Sequence, residues 1–169
     1  MGFICSLVNS SIGKKVMVAL AGLLLCGFLV TPLAGHLFLL VGEGAFNHYA
    51  ETLEHNPFLP IAEIGLLLLF LLHIVVAVTL KFQNKSARPV SYEAAKSKGG
   101  RTPGSMSMAI SGTLILAFLI VHLKTFKFAE DPEGLFRLVM DSFQNKGYTL
   151  FYVVAMSALG LHLSHGFQS

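Results

Sequence analysis

Four long apolar runs dominate this sequence and limit what it can fold into. They cover residues 16–41, 60–80, 106–123 and about 148–169. A run of ~20 apolar residues is long enough to cross the ~30 Å hydrocarbon core of a bilayer as a helix. Because that core offers the backbone no water, each run is expected to be helical. With 54% hydrophobic and 12% charged residues, we predict an all-α integral membrane protein, a single domain over 1–169 with a bundle of four transmembrane helices.

Basic residues predict how the four spans are oriented. Lys14 and Lys15 precede the first span and six further Lys or Arg residues lie in the linker 81–105, whereas the loop between the first two spans has none. By the positive-inside rule, the N-terminus and this linker are cytoplasmic. A short amphipathic helix at about 132–143 then lies outside, in the membrane interface. The surplus of basic residues is a topology signal and does not indicate binding of nucleic acid.

Each apolar run carries one histidine in its interior: His36, His73, His122 and His162. Counted along the helices at ~1.5 Å per residue, they fall at two depths ~15 Å apart. Ionisable residues inside a membrane are costly and usually mark a functional site. Two imidazoles on facing helices can be the axial ligands of a b-type haem, and no Cys-x-x-Cys-His motif offers covalent attachment. We therefore predict two stacked haems, an outer one held by His36 and His122 and an inner one held by His73 and His162.

Small residues are expected where a haem held by two helices passes between the other two. Gly22 precedes His36 by fourteen residues, and Ala155 precedes His162 by seven. Each shares the face of its ligand at the depth of the other haem, so both are predicted to contact haem. Gly112 and Gly65 lie at suitable depths but about 80° away from the ligand's face. The alternative for these residues is ordinary helix packing, which also favours Gly and Ala.

Four further ionisable residues have weaker signals. His165 lies one turn beyond His162 and is predicted to bind a haem propionate or a backbone group near the inner face. His48 and His55, in the outer loop, are expected to be solvated. Glu63, in the first turn of the second span, is predicted to exchange protons during quinone chemistry at the outer face. The alternative for Glu63 is a carboxylate that is stabilised by the dipole at a helix N-terminus.

The sequence resembles the cytochrome b membrane anchors of bacterial di-haem succinate dehydrogenases and fumarate reductases. The stretches that carry this resemblance are SSIGKK, GHLFLLVGEGAFNHYAE, AEIGLLLLFLLHI, NKSARPVSY and GLHLSHGF. In that family each of the first four spans supplies one haem ligand, and these carry over to His36, His73, His122 and His162 with the pairing given above. The family's fourth ligand is followed four residues later by glycine, here Gly166, which favours His162 over His165 as the ligand.

The resemblance implies a membrane anchor and electron-transfer subunit of a succinate:quinone oxidoreductase in the bacterial inner membrane. Electrons would pass through two haem b between quinone, expected to be menaquinone, and an iron–sulfur subunit on the cytoplasmic face. That subunit would serve a flavoprotein that interconverts succinate and fumarate. This chain has no flavin or nucleotide motif, so it is not expected to oxidise succinate alone. The family usually has a fifth span, whose contacts lie outside this sequence.

Two other functions remain open. A proton or ion transporter would also place histidines in spans, but such a path normally includes several charged residues, and Glu63 is the only charged residue within the predicted spans. A free-standing di-haem membrane cytochrome b fits the ligand pattern equally well. Co-purification separates these functions, because only the anchor would bring a flavoprotein and an iron–sulfur protein with it.

Overall fold

A computed structural model describes residues 10–86, 103–129 and 133–168, and within these ranges the chain forms helices and no strand. The α-helices are α1 (Ser11–His36), α2 (Phe38–Val41), α3 (Glu43–Glu54), α4 (Leu59–Ser86), α5 (Pro103–His122), α6 (Leu135–Gln144) and α7 (Lys146–Gln168). A π-helix, Leu123–Lys127, directly follows α5. The prediction of an all-α chain is confirmed.

Four helical segments are long and apolar enough to cross a membrane. They are Ser11–Val41, Leu59–Gln83, Met108–Lys127 and Lys146–Gln168. Each bound lies within five residues of the one predicted from the apolar runs. Large apolar side chains along these helices, such as Leu24, Leu68 and Ile120, are exposed, as expected for surfaces that face lipid. The protein is therefore a multi-pass membrane protein.

The chain divides into two compact units. The first comprises Met1–Leu33 and His55–Lys96, and the second comprises Ala34–Glu54 and Ser97–Ser169. In the second unit α5 packs along α7. The single domain over 1–169 stays a prediction.

The first span ends in two steps. α1 continues through Pro32, although a proline within a helix removes one backbone hydrogen bond. After a turn at Leu37, the short helix α2 is terminated by Gly42, whose φ is 133°. This conformation strongly favours glycine. Gly42 therefore ends the span and lets the chain continue into α3.

Helix α3 occupies the segment in which the sequence predicted a loop. Its Tyr49 ring stacks on Phe38 with 5.0 Å between the ring centroids. A Cβ atom on Gly35 would lie only 2.6 Å from Tyr49 Cε1, so the absence of a side chain at position 35 allows Tyr49 to pack there. His48 in α3 and His55 just after it are both exposed, as predicted.

Helix α6 is anchored to α3 within the second unit. It begins at Leu135, three residues after the predicted start at Pro132, which lies outside the described residues. The Asn47 side chain accepts a hydrogen bond from the Phe136 backbone N–H at 2.9 Å. Arg137 donates to Glu43 at 3.1 Å; this hydrogen bond raises the pKa of the guanidinium. The ion pair between Arg137 and Glu43 is exposed, and exposed ion pairs contribute little to stability. The Asn47 hydrogen bond therefore contributes more to holding α6 against α3.

The predicted cytoplasmic linker is shorter than the sequence indicated. Residues 81–86 belong to α4 and residues 103–105 belong to α5. Residues 87–102 lie outside the described part of the chain. At its other end, α4 begins after Asn56, whose side-chain oxygen accepts a hydrogen bond from the Phe58 N–H at 3.0 Å.

Candidate metal centres

In three of the four span histidines, the ring nitrogen Nδ1 forms a hydrogen bond with a residue of a neighbouring helix. His73 bonds Val18, His122 bonds Tyr152, and His162 bonds Ser111. All three imidazoles are half-buried. His73 lies in the first unit and the other two lie in the second.

His73, on α4, lies against α1. Its Nδ1 is 3.2 Å from the Val18 carbonyl oxygen. A carbonyl oxygen can only accept, so Nδ1 carries the proton and donates it, and Nε2 is the nitrogen with coordinating character. A Cβ atom on Gly22 would lie 3.1 Å from His73 Cε1. Gly22 therefore lies at the depth of His73, while its contact with haem stays a prediction.

His162, on α7, lies against α5 with the same tautomer. Its Nδ1 is 3.1 Å from Ser111 Oγ, and Ser111 is 3% exposed. The only hydroxyl proton of Ser111 is donated to the Met108 carbonyl at 3.1 Å. Ser111 Oγ must therefore accept from His162 Nδ1, which again makes Nε2 the coordinating nitrogen.

Gly112 lies beside His162 in the way that Gly22 lies beside His73. A Cβ atom on Gly112 would be 3.4 Å from His162 Cε1. Gly112 was predicted to lie about 80° from the face of His122 on its own helix, and its neighbour here is His162 on α7.

His122 is the last residue of α5 and lies in an aromatic cluster. Its Nδ1 is 2.9 Å from the Tyr152 hydroxyl oxygen, to which Tyr148 donates at 3.0 Å. Phe118 and Phe126 each have ring centroids 5.4 Å from that of the imidazole. Tyr152 was not predicted from the sequence. The available signal was a polar aromatic residue ten positions before His162, at the depth predicted for His122.

His36 ends α1 and is exposed. No hydrogen bond reaches its ring from the part of the chain that the structure describes. His36 and His122 both lie in the second unit, and their pairing around an outer haem stays a prediction.

Two levels of histidines are visible within the second unit. Gly112, on α5, lies beside His162 and is therefore at the same depth as that histidine. Tyr152, on α7, hydrogen-bonds His122 and is therefore at the same depth as His122. Ten residues separate the two levels along each helix. At ~1.5 Å per helical residue the levels are ~15 Å apart, which is the offset that the sequence predicted.

The remaining predicted residues lie in different surroundings. Ala155, on α7, is 3% exposed, as expected for a small residue at a crowded position. His165 is half-buried in the last turn of α7. Glu63 is exposed and lies just beyond the first turn of α4, not within it as predicted, because the helix begins at Leu59. Haem or quinone contacts of these three residues stay predictions.

The donor set suits haem iron better than a metal ion held by protein alone. Within the described ranges, no three His, Cys, Asp or Glu side chains come together as a metal-binding group. Haem iron needs only two axial ligands from the protein, and imidazole is one of the common ones. The span histidines, with glycine beside the rings of His73 and His162, are compatible with such a group.

An open groove of about 570 Å³ lies beside the aromatic cluster of His122. It is lined by Phe143, Thr149, Tyr152, Val153, Met156 and Ser157. The lining is mainly apolar, and Tyr152 connects the groove with His122.

Comparison of the chain with family models, with curated proteins and with solved structures gives no match. Functional inference therefore depends on the span histidines, the groups that hydrogen-bond to them and the glycines beside them.

Proposed function

We propose that this protein is a di-haem cytochrome b that anchors a succinate:quinone oxidoreductase in the membrane. The observation that carries this proposal is the hydrogen bond at Nδ1 of His73, His122 and His162. Haem b, when bound, supplies one-electron transfer. The residues of this chain hold and orient it.

The hydrogen bonds give the histidines the character of metal ligands. A ligating histidine usually donates its second ring N–H to a carbonyl, carboxylate or water, which fixes the tautomer and raises the basicity of the coordinating nitrogen. Val18 and Ser111 do this for His73 and His162.

The proposed cofactor contacts follow from the same residues. His73 and His162 would hold the inner haem, and His36 and His122 would hold the outer one. Gly22 and Ala155 would lie against the macrocycles that their helices do not ligate. His165, in the last turn of α7, would bind a propionate of the inner haem.

Partners and location are proposed from the sequence. The resemblance to di-haem anchors supports an iron–sulfur subunit and a flavoprotein on the cytoplasmic face, with menaquinone as the membrane substrate. Lys14 and Lys15 at the start of α1 and the basic residues in the linker 81–105 support a cytoplasmic N-terminus in a bacterial inner membrane. A free-standing di-haem cytochrome would use the same ligands without these partners.

A spectrum of the purified protein tests the proposal. The full chain, isolated from membranes in mild detergent, is expected to contain two haem b per chain in a pyridine haemochrome assay and a reduced-minus-oxidised spectrum. Co-purification of a flavoprotein and an iron–sulfur protein is expected as well. A preparation without haem b would contradict the proposal, and haem without the two partners would favour the free-standing cytochrome.

Glu63 is the predicted residue of the quinone site. In the assembled complex, Glu63→Gln is expected to lower quinone-linked turnover by about 100-fold, because it removes the group that would exchange protons. Both haems and succinate oxidation with an artificial acceptor should persist. Glu54→Gln, which changes another exposed carboxylate, is the control and should leave turnover unchanged. Full quinone turnover in the Glu63 variant would exclude this role and make the groove along α7 the next candidate.

A further inference from the structure

The hydrogen-bond partner of His122 differs in kind from those of His73 and His162. His73 hydrogen-bonds the backbone carbonyl of Val18. His162 hydrogen-bonds the hydroxyl of Ser111, which donates its own proton to the Met108 carbonyl. The bond of His122 goes to the phenol of Tyr152, which itself accepts a hydrogen bond from Tyr148. The outer ligand is thus connected to a chain of two phenols.

The Tyr152 phenol is held firmly against His122 by the surrounding rings. Phe118 and Phe143 contact the Tyr152 ring edge-on, with centroid distances of 4.9 Å and 4.8 Å. Edge-to-face pairs of this kind favour one ring orientation. The hydroxyl oxygen is therefore positioned at His122 Nδ1 by packing and by the bond from Tyr148.

We propose that Tyr152 is a positioning residue that sets the reduction potential of the outer haem through its hydrogen bond to His122. This inference rests on the proposed function. A histidine that coordinates iron through Nε2 carries its proton on Nδ1, and the Tyr152 hydroxyl oxygen, 2.9 Å from that nitrogen, would accept its hydrogen bond when haem is bound. An acceptor at Nδ1 raises the basicity of the ligand, and a more basic ligand stabilises ferric over ferrous iron. The Tyr152 bond therefore lowers the potential of the outer haem.

Replacement of the acceptor tests this directly. In the full chain, Tyr152→Phe keeps the aromatic ring and removes the oxygen. We expect a roughly tenfold change in the ferric-to-ferrous ratio at a fixed ambient potential, equivalent to a positive shift of about 59 mV for a one-electron couple. The inner haem should keep its potential. The measurement is equilibrium potentiometry followed by absorption, with the outer haem identified as the one that is lost in His122→Ala.

Two control variants separate the bond from packing. Tyr148→Phe keeps the bond between Tyr152 and His122 and should shift the outer potential less than Tyr152→Phe does. Ser111→Ala removes the acceptor of His162 and should shift the inner potential alone. If Tyr152→Phe fails to retain the outer haem, a fluorinated tyrosine at position 152, whose oxygen is a poorer acceptor, should give a smaller positive shift.

The possible failures are distinguishable. An outer potential that Tyr152→Phe or the fluorinated variant leaves unchanged would overturn this inference while the haem content still supports the proposed function. Equal shifts in Tyr148→Phe and Tyr152→Phe would also overturn it, because packing would then explain both. A wild-type protein without haem b would overturn the proposed function and this inference together.

Discussion

Replacing His73 or His162 with alanine is expected to remove the same haem, the inner one, whereas replacing His36 or His122 should remove the outer one. Each iron needs both axial imidazoles, and a single remaining ligand leaves a poorly held, five-coordinate centre. Every variant should therefore retain one haem b per chain instead of two. Pyridine haemochrome analysis gives the number, and the remaining spectrum and potential identify which haem persists.

The same four histidines could ligate two haems in other pairs, and the haem that each variant loses shows which pairing is correct. Loss of the same haem in His73→Ala and His122→Ala would contradict the proposed levels. His165→Ala is the matched control, because His165 lies one turn from His162 on the same helix. It should keep both haems, since its proposed contact is a propionate and not the iron.

Replacing Gly22 with leucine is expected to remove the inner haem without changing a ligand. Even a Cβ atom at this position would lie 3.1 Å from His73 Cε1, so the larger side chain would push the imidazole away from Val18. The hydrogen bond that orients the ring would then be lost. The expected result is one haem b per chain, with the spectrum of the outer centre retained.

Gly27→Leu provides the control for this prediction. Gly27 lies on the same helix, and no heavy atom lies within 4 Å of the Cβ position there. The variant should keep both haems and tests whether leucine itself disturbs α1. Equal haem content in the two glycine variants would show that the space beside His73 is not required for haem binding.

The spans could be predicted from the sequence, but the contacts between them could not. A run of ~20 apolar residues has few structures available in a bilayer, so all four spans were found with small errors at their ends. Helices that are apolar all round carry no amphipathic signal for rotation. Ser111 and Tyr152 were therefore not recognised as partners of histidines.

Local segments outside the spans were harder to predict for a different reason. Helix α3 is short and mixed in polarity, and its stability comes from tertiary packing such as that of Tyr49 on Phe38, which local sequence does not show. Helix α6 was found by its apolar spacing. Its start was misplaced because Pro132 is a common first helical residue, whereas the observed helix follows Gly134.

The bond between His73 and Val18 gives one histidine an acceptor that a change of side chain at the acceptor's own position does not remove. Because the acceptor is a backbone carbonyl, residue 18 can change freely while the bond persists. Ser111 and Tyr152 act through their side chains, so a single substitution can abolish either bond. Random substitution at residue 18 would therefore keep the hydrogen bond of His73, whereas substitution at position 111 or 152 would remove that of His162 or His122. A comparison of related sequences would give no sign that residue 18 contributes a hydrogen bond.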